Sequence, residues 1–306
     1  MSNPRRMLVK GHGTGNDFLL TADPMGAQPL SAEEIQDLTD RHTGLGADGI
    51  IRAVRREQVS EPIPGGSRAE WFMDYRNADG SLAEMCGNGI RVFTAFLIRE
   101  GLLTLADGDS TLIATRAGQV TVRREAEDFA VDLGPWSAPG GAQALAEGFD
   151  VEVDVAGFET PRRGLRLALP NPHTVVALAD AEELERADLG LAPQVDPVPP
   201  HGSNVELVLP LGEQSIDLLD DEGAVIGSES VGVVQMRVHE RGVGETLSCG
   251  TGAGAAALAM YHWFGQGAPQ TWYVLVPGGR LRVTIGEQDQ VELAGPAELV
   301  AEISLI

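Results

Sequence analysis

Lysine is almost missing from this chain. Lys10 is the only one in 306 residues, so arginine supplies the other 21 of the 22 basic side chains. A mechanism that uses a lysine Schiff base, as pyridoxal phosphate chemistry does, would have to use Lys10. A Walker A loop needs a lysine after its glycines, and none stands there. Basic charge as a whole is scarce: 22 basic against 45 acidic residues leave a formal net charge of −23. That balance argues against nucleic acid or an anionic membrane as a partner, because phosphate contacts need clustered Lys and Arg. Two cysteines, Cys86 and Cys249, are too few and too far apart for a disulfide framework or a structural zinc site. No run of about 18 apolar residues occurs, so no membrane span is expected. The opening MSNPRRMLVKGHGTGNDF has a basic pair but no apolar stretch, so no signal peptide is expected either. The default setting is cytoplasmic, with both thiols reduced.

What is present is a foldable chain, 43% hydrophobic, of a length that suits one large domain or two ordinary ones. Short β-branched or alternating runs bounded by Gly, Pro, Asp or Asn predict strands at Met7–Lys10, Glu70–Tyr75, Gly118–Arg124, Phe129–Leu133, Val151–Val155, Gly164–Leu169, Asn204–Leu209, Val231–His239, Leu281–Ile285 and Glu298–Ile303. Ser31 and Glu34 stand at capping-box spacing and open a helix over Ser31–Arg41. Two further helices, GNGIRVFTAFLIRE after Cys86 and GTGAGAAALAMYHWF after Cys249, are apolar on nearly every face, the pattern of helices buried all round. The Pro- and Gly-rich stretch Leu133–Gly148 reads as a linker between halves, and Glu57–Arg68 as a surface insertion. Met85-Cys86-Gly87-Asn88-Gly89 in the first half is echoed by Ser248-Cys249-Gly250-Thr251-Gly252 in the second. Two copies of Cys-Gly-x-Gly, each opening a buried helix, predict a duplicated α+β domain whose cysteines meet where the copies join.

A thiol just ahead of a helix N-terminus sits where the macrodipole and the free N–H groups favour the thiolate. A lone cysteine is more often an inert core residue; two in matching frames point to chemistry. The glycines let backbone N–H groups approach an anion such as a carboxylate. Two thiols on opposite sides of one carbon suit a single reaction type. One thiolate removes a proton next to a carboxylate, the other thiol delivers a proton to the opposite face, and the stereocentre inverts without redox change.

At these positions the sequence resembles the diaminopimelate epimerase family, the pyridoxal-independent epimerases of lysine and cell-wall biosynthesis. The resemblance rests on Lys10-Gly11-His12-Gly13-Thr14-Gly15-Asn16-Asp17-Phe18, on Asn77-Ala78-Asp79-Gly80-Ser81 leading to Met85-Cys86-Gly87-Asn88-Gly89-Ile90-Arg91, on Asn171-Pro172-His173, on Asn204, and on Glu240-Arg241-Gly242-Val243-Gly244-Glu245-Thr246 followed by Cys249-Gly250-Thr251-Gly252. It implies an α+β fold of two pseudo-symmetric lobes, each a mixed β-sheet curled around a buried central helix, with the active site in the cleft between them. The lobes would be residues 1–134, to which a C-terminal strand at about 296–306 returns, and residues 135–295. It implies interconversion of L,L- and meso-diaminopimelate with no cofactor and no metal, a small-molecule substrate as the partner, and a homodimer.

The resemblance also implies roles. Cys86 and Cys249 would be the acid/base pair, the first usually donor and the second acceptor for the L,L substrate. Asn16, Asn77, Asn171, Asn204, Glu240 and Arg241 would hold the substrate. The backbone at Gly87-Asn88 and Gly250-Thr251 would bind the reacting carboxylate, while His173 and Glu240 would tune the thiols. Asparagines in loops are also plain turn formers, Arg241 beside Glu240 could be a surface ion pair, and His173 a structural histidine. A zwitterion with two amino-acid ends, however, calls for neutral donors and acceptors and for a bidentate cation on the distal carboxylate. The chain departs from the family pattern at His239, where an aromatic residue commonly precedes Glu-Arg-Gly, and at Gly49, where many relatives place Gln. The rival readings are a proline racemase or hydroxyproline epimerase, and a thiol redox or binding protein. The first pattern has His shortly after the first Cys-Gly, where Asn88 follows here, and the second expects Cys-x-x-Cys or an exposed resolving partner.

Overall fold

The computed structural model describes residues 7–219, 224–286 and 290–305. The chain divides into two compact units, Met1–Asp132 with Ala294–Ile306, and Leu133–Leu293.

The first unit contains β1 (Met7–Gly13), β2 (Asn16–Ala22), α1 (Ala32–Thr39), β3 (Gly49–Arg55), β4 (Trp71–Asn77), α2 (Gly87–Arg99), β5 (Ser110–Thr115), β6 (Gly118–Glu125) and β7 (Asp128–Asp132). The second contains α3 (Gly141–Glu147), β8 (Val151–Asp154), β9 (Arg162–Leu169), β10 (Asn171–Ala177), α4 (Ala181–Arg186), β11 (Gln194–Asp196), β12 (Asn204–Leu219), β13 (Val225–Glu240), β14 (Gly244–Thr246), α5 (Gly250–Phe264), β15 (Thr271–Val276) and β16 (Gly279–Ile285). β17 (Val291–Pro296) crosses the boundary, and β18 (Glu298–Ser304) belongs to the first unit, antiparallel to β1.

The expected duplication is visible in the strand pairing. In the first unit β1–β2 is antiparallel, β2–β3 parallel, β3–β4 antiparallel, β4–β5 parallel and β5–β6 antiparallel. In the second, β9–β10, β10–β12, β12–β13, β13–β15 and β15–β16 repeat that alternation. Parallel neighbours need a crossover. In each unit the first crossover carries a short helix, α1 or α4, and the second carries the long buried helix, α2 or α5.

Those long helices fill their units. Ile90, Val92, Phe93, Phe96 and Leu97 of α2 are buried among Phe18, Ile51, Trp71 and Met73 of the surrounding strands. Every residue of α5 from Gly250 to Met260 is buried, five of them alanine. Small side chains on all faces let strands close around the helix, which is why its sequence shows no polar stripe.

Two expectations are corrected. Leu133–Gly148 is more than a linker: it contains α3, Leu133 and Ala144 are core residues, and Ser137 and Ala168 exchange both backbone hydrogen bonds. The Glu57–Arg68 insertion is anchored: Ile63 is buried with Ala69, Phe72 and Ala114, and Glu61 pairs with Arg116 at 2.9 Å. In addition, β12 and β13 run 16 residues each, well beyond the predicted Asn204–Leu209 and Val231–His239. Past a register shift at Pro210/Gly212 their outer parts pair with one another, so polar residues there are held by ladder bonds rather than by a core.

Candidate active site

In the first unit Cys86 is the N-cap of α2, with extended backbone, and its Sγ accepts from Gly89 N at 3.3 Å. Its thiol donates to Asn16 Oδ1 at 3.4 Å from the first residue of β2. The Asn16 amide is oriented by Asp48, to which Nδ2 donates at 2.7 Å; Asp48 is in turn held by Arg41 at 2.7 Å and by the Asp17 N–H at 3.1 Å. The departure at Gly49 has a steric reason. A Cβ there would stand 2.3 Å from Arg76 O across the β3–β4 pair, so no larger residue fits this backbone. Asn77 closes a turn, donating through Nδ2 to Ser81 Oγ at 3.0 Å, and is not brought to the sulfur by any bond.

One residue behind Cys86 carries more than its place in the motif showed. Arg91 is fully buried; it donates to Gly87 O and Asn88 Oδ1 at 3.0 Å each and to Pro296 O at 3.3 Å. Burial pulls its guanidinium down to about 10, still far above neutral pH, and the nearby Cys86 and Asp128 oppose this. Arg91 is thus a permanent cation inside the core next to Cys86. Asn88, itself buried, accepts through Oδ1 from Arg91.

In the second unit Cys249 caps α5 in the same way, Sγ accepting from Gly252 N at 3.4 Å and lying 3.6 Å from Thr251 Oγ1. Parallel pairing of β10 with β12 sets His173 beside Asn204. His173 Nε2 faces Asn171 Oδ1 at 3.0 Å and Nδ1 faces Glu206 Oε1 at 2.7 Å, with both side chains wholly buried. At the end of β13, Glu240 accepts from Thr246 Oγ1 at 2.5 Å and is hydrogen-bonded to the Cys249 thiol. Asn204 Oδ1 accepts from the Arg241 N–H at 2.9 Å. Arg241 is exposed, donates to His201 O, and among the described residues has no carboxylate partner, so it is not the surface ion pair with Glu240. His239 Nδ1 lies 2.9 Å from Leu189 O, a structural contact.

The electrostatics overturn one expectation. Cys249 does not sit where the helix N-terminus makes it a thiolate. Burial pushes its thiol well up, and the charges of Glu240 and Glu206 push it further, outweighing the Thr251 and Gly252 hydrogen bonds. Burial also raises Glu240, helped by Glu206, against the bonds from Thr246 and Cys249 and the charge of His173. The thiol and its neighbouring carboxyl therefore both hold a proton more tightly than free cysteine and glutamate would.

Glu206 was not singled out by its sequence context, although an acid in the apolar run Asn204–Leu209 was the available signal. Among the described residues no group of three or more His, Cys, Asp and Glu side chains is placed to hold a metal ion, and no helix is long and apolar enough to cross a membrane.

The family model for diaminopimelate epimerase matches residues 8–138 and 168–300. The chain belongs to the diaminopimelate epimerase family. It is 41% identical to a diaminopimelate epimerase of Streptomyces coelicolor, covering 97% of this chain and 94% of that one, and 41% identical to that of Thermobifida fusca, covering 96% of each. Among solved structures it is similar to a phenazine biosynthesis protein of the PhzF family from Bacillus anthracis (TM-score 0.66, 14% identity, 99% of this chain and 100% of that one). It is also similar to a hydroxyproline epimerase from Agrobacterium vitis (TM-score 0.58, 13% identity, 99% and 94%). These two establish the mixed α+β, two-lobed fold. Family members are isomerases, and both matched segments contain one of the cysteines.

Proposed function

We propose that the protein interconverts L,L- and meso-diaminopimelate by two-base proton transfer at the α-carbon, without a cofactor, in lysine and peptidoglycan precursor biosynthesis. The observation that carries the reading is the repeated thiol cap: in each unit a cysteine receives an N–H from the first turn of a buried helix. The names of the relatives support the choice of substrate.

In this reading a thiolate takes the α-proton, the C–H electron pair moves into the adjacent carboxylate, and the opposing thiol returns a proton to the other face. First-turn N–H groups at Gly87-Asn88 and Gly250-Thr251 stabilise the added charge. Cys249 starts as a thiol, so in the L,L direction it must first lose its proton. Glu240, its hydrogen-bond partner with a raised carboxyl, is the group placed to take it. Asn16, Asn77, Asn171 and Asn204 offer donors and acceptors for the zwitterion. Arg241, with no carboxylate of its own, takes the distal one, its backbone fixed by Asn204. The small-molecule substrate as partner, a homodimeric state and a cytoplasmic setting come with the same reading, on the family resemblance.

Incubation with L,L-diaminopimelate in deuterated water, without added cofactor, is the test. The expected product is meso-diaminopimelate carrying solvent deuterium at the inverted α-carbon. Turnover without label refutes the two-base reading, and equal activity on proline promotes the racemase alternative.

A further inference from the structure

Glu206 is a fully buried carboxyl that the mechanism above does not use. Its Oε1 faces His173 Nδ1 at 2.7 Å, and its Oε2 has no hydrogen-bond partner among the described residues. Such a group is costly: a carboxylate out of water with one oxygen unanswered destabilises the fold, and an amide or an aliphatic side chain would fill the space at lower cost. The fold even makes room for it. A Cβ on Gly252 would stand 2.8 Å from Glu206 Oε1 and 3.3 Å from Cys249 Sγ, so both atoms border the same point on the first turn of α5. Glycine there is what admits the carboxyl alongside the thiol.

We propose that Glu206 is a positioning residue for the reaction: its buried carboxylate fixes the His173 ring through Nδ1 and sets a negative charge beside the first turn of α5, next to Cys249. The inference rests on the function proposed above. Both ring nitrogens face oxygens that accept, Glu206 Oε1 at Nδ1 and Asn171 Oδ1 at Nε2, so the ring is fixed from both sides. The charged and titratable groups facing Cys249 in its unit are Glu206 from β12, Glu240 from β13 and His173 from β10, with the Thr251 hydroxyl and the Gly252 N–H on α5 itself. Glu206 pushes both Cys249 and Glu240 upward. It therefore acts on the two groups in the same direction.

The experiment is an ultraviolet thiolate titration of the full-length protein in a Cys86→Ser background, which isolates Cys249, with Cys86→Ser/Cys249→Ser as the blank. Glu206→Gln keeps the shape and an acceptor for Nδ1 but removes the charge. The expected result is a Cys249 midpoint lower by roughly one pH unit, about tenfold more thiolate at a fixed pH below it. In the Cys86-containing enzyme, the acid limb of the kcat profile should move down as well, with kcat falling more than KM changes. Glu206→Asp, which keeps the charge but draws it back by one methylene, should give a smaller shift in the same direction; it also serves if the Gln variant does not fold. Unmoved midpoints in the folded variants overturn the proposal, even if activity falls, because a merely structural role would lower activity without moving the titration. The titration needs no substrate, so a shift in a protein inactive on diaminopimelate would sink the substrate assignment and leave the role of Glu206 standing.

Discussion

Replacing Arg91 by methionine asks how much of the Cys86 half depends on one buried cation. Methionine fills much of the same volume but donates nothing. Three bonds disappear, to Gly87 O, Asn88 Oδ1 and Pro296 O. Hydrogen bonds from a charged donor contribute about 1.5–3 kcal/mol each, which makes a gross loss of roughly 4.5–9 kcal/mol. Against this stands the relief of no longer burying a guanidinium, about 3 kcal/mol by analogy with buried ion pairs replaced by apolar groups. The net is a destabilisation of about 1.5–6 kcal/mol. For a urea m-value of about 2–3 kcal/mol/M, the midpoint falls by roughly 0.5–3 M. Urea unfolding followed by circular dichroism measures the shift, and hydrogen exchange locates it: amides of α2 should lose protection while those of α5 keep theirs. Arg91→Lys, which retains the charge but not the three-way geometry, should lie between. In a Cys249→Ser background the Cys86 thiol should also titrate at higher pH once the cation is gone. A midpoint loss below about 0.3 M, or equal loss of protection in both helices, would refute the reasoning that Arg91 organises the turn at Cys86.

Thr246→Val removes the donor to Glu240, whose carboxyl then rises further. The acid limb of the kcat profile should move to higher pH and kcat fall by about 10- to 100-fold, the worth of one hydrogen bond to a charged group; an unmoved limb would separate Glu240 from the proton path. Iodoacetamide near neutral pH should modify half-buried Cys86 before buried Cys249, whose thiol is pushed up; peptide mapping reads the order, and the reverse order would contradict the electrostatics of the second unit. Burial pushes Asp74 up, but Arg116 and Arg52 together outweigh it and hold its carboxyl below the usual range. The stability it confers is full above about pH 4 and is lost as pH falls through the lowered folded value. Asp74→Asn should therefore cost about 3–5 kcal/mol at pH 7, as breaking a buried pair does, and the difference from wild type should shrink below pH 4; a gap constant across that range would count against it.

Local signals in the sequence were enough for everything that depends on a few consecutive residues. Ser31 and Glu34 form the capping box their spacing predicts, with bonds of 3.1 and 2.8 Å, and the two Cys-Gly-x-Gly segments cap the two buried helices. The apolar runs after each cysteine had the composition of core helices, because a helix enclosed by strands has no face for polar residues to occupy. The duplication was legible from one repeated pentapeptide. Other features depended on what the chain packs against. The outer parts of β12 and β13 carry no apolar alternation, since pairing with one another holds them as strands. The stretch Leu133–Gly148 was hidden by its Gly and Pro content, although Leu133 and Ala144 anchor it in the core. Glu206 and Arg91 are charges placed at buried positions, where their meaning comes from partners 33 and 205 residues away. The protonation of Cys249 shows the division most plainly. From sequence it is a thiol at a helix N-terminus, which favours the thiolate. Only tertiary structure buries that thiol and sets two carboxyls beside it, and desolvation together with like charge outweighs the dipole of one helix.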